Sequence, residues 1–158
     1  MKRFAGFLML LSAWSAGFAA AQVPSGLLGT WRVERILSAP STACWDVDRA
    51  KTLVGTTLTY EPSRMIWRGG EVPLEGIGAV SRTLNAPHYA QEYNVGFDAL
   101  GLHVPAIREV DLQHADADVT GATTEVPGDT VVLAGPGRII VSACGVFFEA
   151  TRQRTKSS

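Results

Sequence analysis

The sequence predicts an all-β fold, a small antiparallel β-barrel of about eight strands with one or two short helices. Three observations lead there. Apolar residues alternate with polar ones at period two along most of the chain, long stretches at period 3.6 are absent, and turn residues recur at short intervals between the alternating segments. Closing a sheet of locally connected strands into a barrel removes its exposed edges.

The first 21 residues stand outside that fold. Lys2 and Arg3 form a short basic start, residues 4–18 an apolar run, and Ala19-Ala20-Ala21 a small-residue cleavage site, the pattern of a secretory signal peptide. The run is short for a spanning helix and lacks the flanking charges of an anchor. No later stretch is apolar for long enough to span a bilayer, so no stable membrane insertion is expected after cleavage. Cleavage after Ala21 takes 21 of 158 residues and leaves a single domain at residues 22–158, long enough to sustain its own core. That chain has 12 basic and 15 acidic residues, and without a basic excess nucleic acid is not an expected partner. A periplasmic or secreted location follows.

The first strand is Gly29-Thr30-Trp31-Arg32-Val33-Glu34-Arg35-Ile36-Leu37, where alternation puts Trp31, Val33 and Arg35 on one face and Arg32 and Glu34 on the other. Next comes a hairpin, residues 56–61 and 65–68, turning at Pro62-Ser63-Arg64. Its Leu58 and Tyr60 are placed to meet Met65 and Trp67. Further strands are expected at residues 77–84, 106–113, 130–134, 138–142 and 146–152, the last three joined by Gly135-Pro136-Gly137 and Ala143-Cys144-Gly145, with a weaker one near residues 119–125.

Helical signal is confined to short pieces. Asp46 caps a segment with Val47, Ala50 and Val54 on one face and Gly55 at its stop. Another turn or two is expected at residues 87–93 and a third at 98–101. Cys44 lies beside the first helix, and Cys144 lies in the last tight turn. In an oxidising compartment these two cysteines are expected to form a disulfide, the other reading being two buried free thiols. Neither has a second Cys or a His at ligand spacing, so no metal is expected.

Gly29-x-Trp31 at the start of the first strand after a signal peptide resembles the signature of the lipocalins and wider calycins. In that family the Trp closes one end of an eight-stranded barrel and an arginine near the end of the last strand packs across it, a place held here by Arg152. The resemblance implies structural roles for Trp31 and Arg152, and a disulfide from the region after the first strand to a late part of the chain is similar to that of many lipocalins. The chain departs from the family in having no Thr-Asp-Tyr segment between late strands and no helix after the barrel. Its long excursion at residues 85–105 is also atypical. It looks closer to small lipocalin-like secreted bacterial proteins.

Catalytic constellations are weak. His88, His103 and His114 are scattered, no Gly-x-Ser-x-Gly elbow or phosphate-cradling loop is present, and Glu71 with Glu75 is one loop pair among many. Asp116, Asp118 and Gly121 echo a calcium loop, but its closing position is Pro127 where a Glu is needed. No enzyme activity and no cofactor are expected.

Nine aromatic residues follow the signal peptide, and the alternation assigns Trp31, Tyr60, Trp67 and Phe148 inward. In a barrel of eight strands such residues fill the interior or line a small cavity. An inward Arg35 or Arg152 favours a ligand with an anionic group, because a buried guanidinium needs a partner. The expected function is binding of a small apolar or amphipathic molecule, with Trp31, Arg35, Tyr60, Trp67 and Phe148 as candidate ligand-binding residues. The other reading is a protein-interaction module, such as an inhibitor of a secreted hydrolase, acting through loops at residues 69–76 and 85–104.

Overall fold

Two-residue turns set the topology. Arg68 and Gly69 have φ of 50° and 76°, and Cys144 and Gly145 have 51° and 75°, so both pairs have the positive φ that matches a hairpin turn to the twist of its strands. Pro62-Ser63 and Pro136-Gly137 make the other two tight reversals. The computed structural model describes residues 23–115 and 126–154. Its strands are β1 (Gly29–Ser38), β2 (Thr57–Glu61), β3 (Arg64–Trp67), β4 (Gly70–Asn85), β5 (Ala106–His114), β6 (Thr130–Gly135), β7 (Arg138–Ala143) and β8 (Val146–Arg152). Each pairs antiparallel with the next, and β8 returns to β1, closing an eight-stranded barrel interrupted by bulges. The strand expected near residues 119–125 and the acidic run beginning at Asp116 lie outside the described residues.

Inward side chains fill the barrel. Trp31, Val33, Leu58, Tyr60, Met65, Val110, Val131, Val141 and Phe148 are all buried to within 1% of complete. Val23 and Leu27, just before β1, join the same core, and Trp31 Nε1 donates to Leu27 O at 2.8 Å. The Arg152 guanidinium lies 4.2 Å from the Trp31 ring centroid and donates to Leu28 O and to Gly26 O, the latter at 2.6 Å. Gly29 is held at φ 116°, and a Cβ there would stand 2.9 Å from Arg152 Nη1, which is why this end of the barrel needs Gly two residues before Trp.

At the other end Asp46 caps α1 (Val47–Lys51) by accepting from the Arg49 amide at 2.7 Å. The helix buries Ala50, and Leu53 follows it into the core, whereas Val47 and Val54 are 51% and 38% exposed. The face expected from Val47, Ala50 and Val54 is thus displaced, because helical geometry ends at Thr52 and the chain turns there. Cys44 and Cys144 form a disulfide across 5.2 Å between Cα atoms, joining the segment before α1 to the β7–β8 turn.

A second apolar cluster lies outside the barrel. Residues 86–105, including α2 (Ala86–Tyr93) and a short 3-10 turn at Asp98–Leu100, pack Tyr89, Phe97, Leu100 and Leu102 onto Ile107, Val132, Ile140 and Phe147. Strands β6 to β8 are apolar on both faces here because both are covered. The excursion is therefore part of the wall and not a free loop.

Strand β4 is offset against both neighbours. Its first four residues pair with β3, from Trp67↔Gly70 to Arg64↔Pro73, and residues 79–85 pair with β5. Between Leu74↔His114 and Ala79↔Leu112 the register shifts at a bulge. Two features follow from the offset. Among the described residues, the upper end of β4 runs past the end of β5 beside a recess, and its lower half runs past the end of β3.

Candidate functional site

The recess at the upper end of β4 encloses about 230 Å3 among the described residues. Val72, Pro73 and Val126 supply apolar lining, His114 and Ala115 close one side, and Glu71 and Glu75 stand at the rim. The Glu71 carboxylate accepts from Arg64 Nη1 at 2.9 Å while Arg64 Nε donates to Glu61 at 2.7 Å, so Glu71 is already engaged. The His114 side chain is only 9% exposed. Its Nδ1 lies 3.0 Å from Ala115 O and its Nε2 lies 3.3 Å from Asp129 Oδ2. Both atoms facing the ring nitrogens are oxygens, and a neutral imidazole has a single N–H to give, so it donates to only one of them and keeps a lone pair on the other nitrogen. Burial pushes the Asp129 carboxyl above its ordinary range, against the hydrogen bond from His114.

A polar connection runs from this side chain into the barrel. The Tyr60 hydroxyl, buried in the core, donates to Gly128 O at 2.9 Å, one residue before Asp129. Burial, reinforced by the Asp129 charge, pushes the Tyr60 hydroxyl well above its ordinary range, so it stays a donor. The barrel core and the recess thus meet at the segment 126–129.

The residues singled out from sequence fall in three places. Trp31, Tyr60 and Phe148 are packed in the core, with Arg152 across Trp31. Trp67 sits opposite Leu58 at the end of β3, half-buried, with the Arg68 guanidinium 4.9 Å from its ring centroid. Arg35 does not share the inward face expected for it. The pairing slips between Val33↔Ala150 and Arg35↔Glu149, and the bulge reverses the alternation so that Arg35 points outward, 63% exposed, with Nη2 3.2 Å from Glu149. Glu149 is also bound by Arg138 at 2.7 Å, and these two arginines, Arg35 first, hold its carboxyl below the ordinary range. Arg35 is thereby removed from the barrel interior.

The strongest electrostatic feature was not legible as a site in the sequence. Glu109 on β5 is fully buried beneath α2, with Arg82 Nε 2.7 Å away. Arg82 also reaches Glu92 at 2.5 Å and the Tyr93 hydroxyl at 2.8 Å, and stands 3.7 Å from Asp111. Burial raises the Glu109 pKa despite Arg82. The one available signal was that Glu109 shares a face with Ile107, an apolar residue at an outward position. The network fastens α2 to the wall and lines no described recess.

Compared with protein-family models, curated proteins and solved structures, the chain has no match in any of the three.

Proposed function

We propose that the protein is an exported binding protein, periplasmic or secreted, that holds a small apolar or amphipathic molecule at the recess between β4 and β5. The observation that carries this reading is the apolar lining of Val72, Pro73 and Val126 beside the buried His114 ring. The volume lies just below the usual range for small-molecule sites, which suits a small ligand or one apolar end of a longer one. The disulfide supports an extracytoplasmic location, and no helix among the described residues is long and apolar enough to cross a membrane. A binding role without catalysis fits a recess whose Glu71 carboxylate is tied to Arg64.

One observation favours the second reading, a protein-interaction module. Trp31, Tyr60 and Phe148 leave no more than 1% of their surface accessible, so these aromatic residues act as core and not as lining. Native mass spectrometry of the protein purified from its own host separates the two. A retained small molecule whose occupancy falls in Val72→Asp supports the recess. A ligand-free chain, or occupancy that Val72→Asp leaves unchanged, overturns it, and a retained protein selects the second reading.

A further inference from the structure

Charge and hydrogen-bond donors are unevenly supplied around the recess. Its lining includes Glu71, Glu75 and His114 and no Lys or Arg. Arg64 answers Glu71 at 2.9 Å but also Glu61 at 2.7 Å, so one guanidinium serves two carboxylates and leaves a negative charge over. Glu75 is exposed and stands in no ion pair among the described residues. The rim is therefore negative on balance. The inner side is short of donors as well. The His114 side chain, nine-tenths buried, faces Ala115 O through Nδ1 and Asp129 Oδ2 through Nε2, and its neutral ring has one N–H for the two, so one oxygen meets a bare nitrogen in place of a donor. Val72, Pro73 and Val126 bring no side-chain donor.

We propose that the recess takes a small amphipathic cation, an apolar body ending in a protonated amine, with the body against Val72, Pro73 and Val126 and the ammonium at the rim beside Glu75. This rests on the recess being the binding site and adds the charge of its ligand. An ammonium group brings positive charge and three donors, the two things the lining lacks. A carboxylate would bring acceptors and a like charge, and an alcohol a single donor. The sequence-based expectation of an anionic group depended on an inward Arg35 or Arg152. Arg35 points outward to Glu149, and Arg152 donates to Leu28 O and Gly26 O, so neither guanidinium waits for an anion in the recess. Because Glu75 is exposed, its attraction for an ammonium is worth a modest factor in water. It selects among ligands, while burial of the apolar body holds them.

Titrating the mature protein with hexylamine, hexanol and hexanoate at about pH 7, where the amine is protonated and the acid ionised, separates the charge of the ligand from the existence of the site. Read by amide chemical shifts at residues 71–75, 114–115 and 126, hexylammonium should bind tightest and hexanoate weakest. At least about tenfold should separate them at low salt, and less at about 0.5 M salt. Glu75→Gln should weaken hexylammonium by roughly threefold and leave hexanol and the melting curve unchanged. Glu75→Ser serves the same purpose if Glu75→Gln does not fold. Hexanol or hexanoate bound as well as hexylammonium, or a preference that both variants leave intact, overturns this proposal and keeps the recess as a site. If none of the three compounds moves the recess amides, the recess reading falls and this proposal with it.

Discussion

Arg152 covers Trp31. Its guanidinium lies 4.2 Å from the indole centroid while it donates to two carbonyls of the segment that precedes β1, so one side chain seals the barrel end and ties down the entering chain. Trp31→Ala should cost about 3 to 5 kcal/mol, as for other buried aromatics, and Arg152→Ala less. A double-mutant cycle by denaturant unfolding should return a coupling of at least about 0.5 kcal/mol. Losses that simply add would mean that the stacked geometry contributes nothing.

Tyr60 and Gly128 test the junction between core and recess. Gly128 has φ 86°, and a Cβ there would stand 2.6 Å from Tyr60 Oη and 2.9 Å from Leu58 Cδ1. Gly128→Ala should therefore cost roughly 2 to 4 kcal/mol from strain and overpacking. Tyr60→Phe, which leaves Gly128 O without its donor, should cost about 1 to 2 kcal/mol. Removing the hydroxyl also removes the nearest clash, so the double variant should be more stable than the summed single losses. Strict additivity in urea melts would contradict this placement.

The fold was legible because alternation survives wherever strands are regular. Leu58, Tyr60, Met65 and Trp67 face one another across the β2–β3 hairpin, and Phe148 lies inward, as the period-two pattern placed them. The pattern failed at Arg35, because a bulge adds a residue that leaves no mark in composition and inverts every assignment after it. It missed the start of β4, where Pro73 and the glycines at 70 and 76 read as loop. The recess was not legible at all. It depends on the offset of β4 against β5, a non-local register that no single segment encodes. The cover over the outer wall did leave a trace, since the runs Val131-Val132-Leu133, Ile139-Ile140-Val141 and Val146-Phe147-Phe148 are apolar on both faces.

The disulfide should be both complete and structural. Thiol titration of the denatured, unreduced mature protein is expected to find no free thiol. Reduction reopens a loop of sequence separation 100, and stability should fall by roughly 4 to 5 kcal/mol on the chain-entropy account. Two reactive thiols per chain, or a melting curve indifferent to reductant, would contradict the bridge.

Glu109 gives the wall an unusual dependence on pH. Its neighbours are Arg82 on β4, Asp111 on β5, and Tyr89, Glu92 and Tyr93 on α2, with His88 3.7 Å from Glu92. Three carboxylates surround one guanidinium, and burial is the largest influence on Glu109, raising its pKa above the ordinary glutamate value of about 4.3. A carboxyl with a raised folded-state pKa binds its proton more tightly when folded than when unfolded. Its contribution to stability is therefore full below about pH 4.3 and is lost as pH rises through the folded value. Glu149 runs the other way, since Arg35 and Arg138 lower its pKa and its contribution is lost in acid. Glu109→Gln keeps the shape and removes the titrating charge. Relative to wild type it should gain melting temperature between pH 5 and pH 8, and it should protect the amides of α2 from hydrogen exchange over the same interval. A wild-type advantage that instead grows toward pH 8 would show that the Arg82 ion pair outweighs the cost of burying the charge.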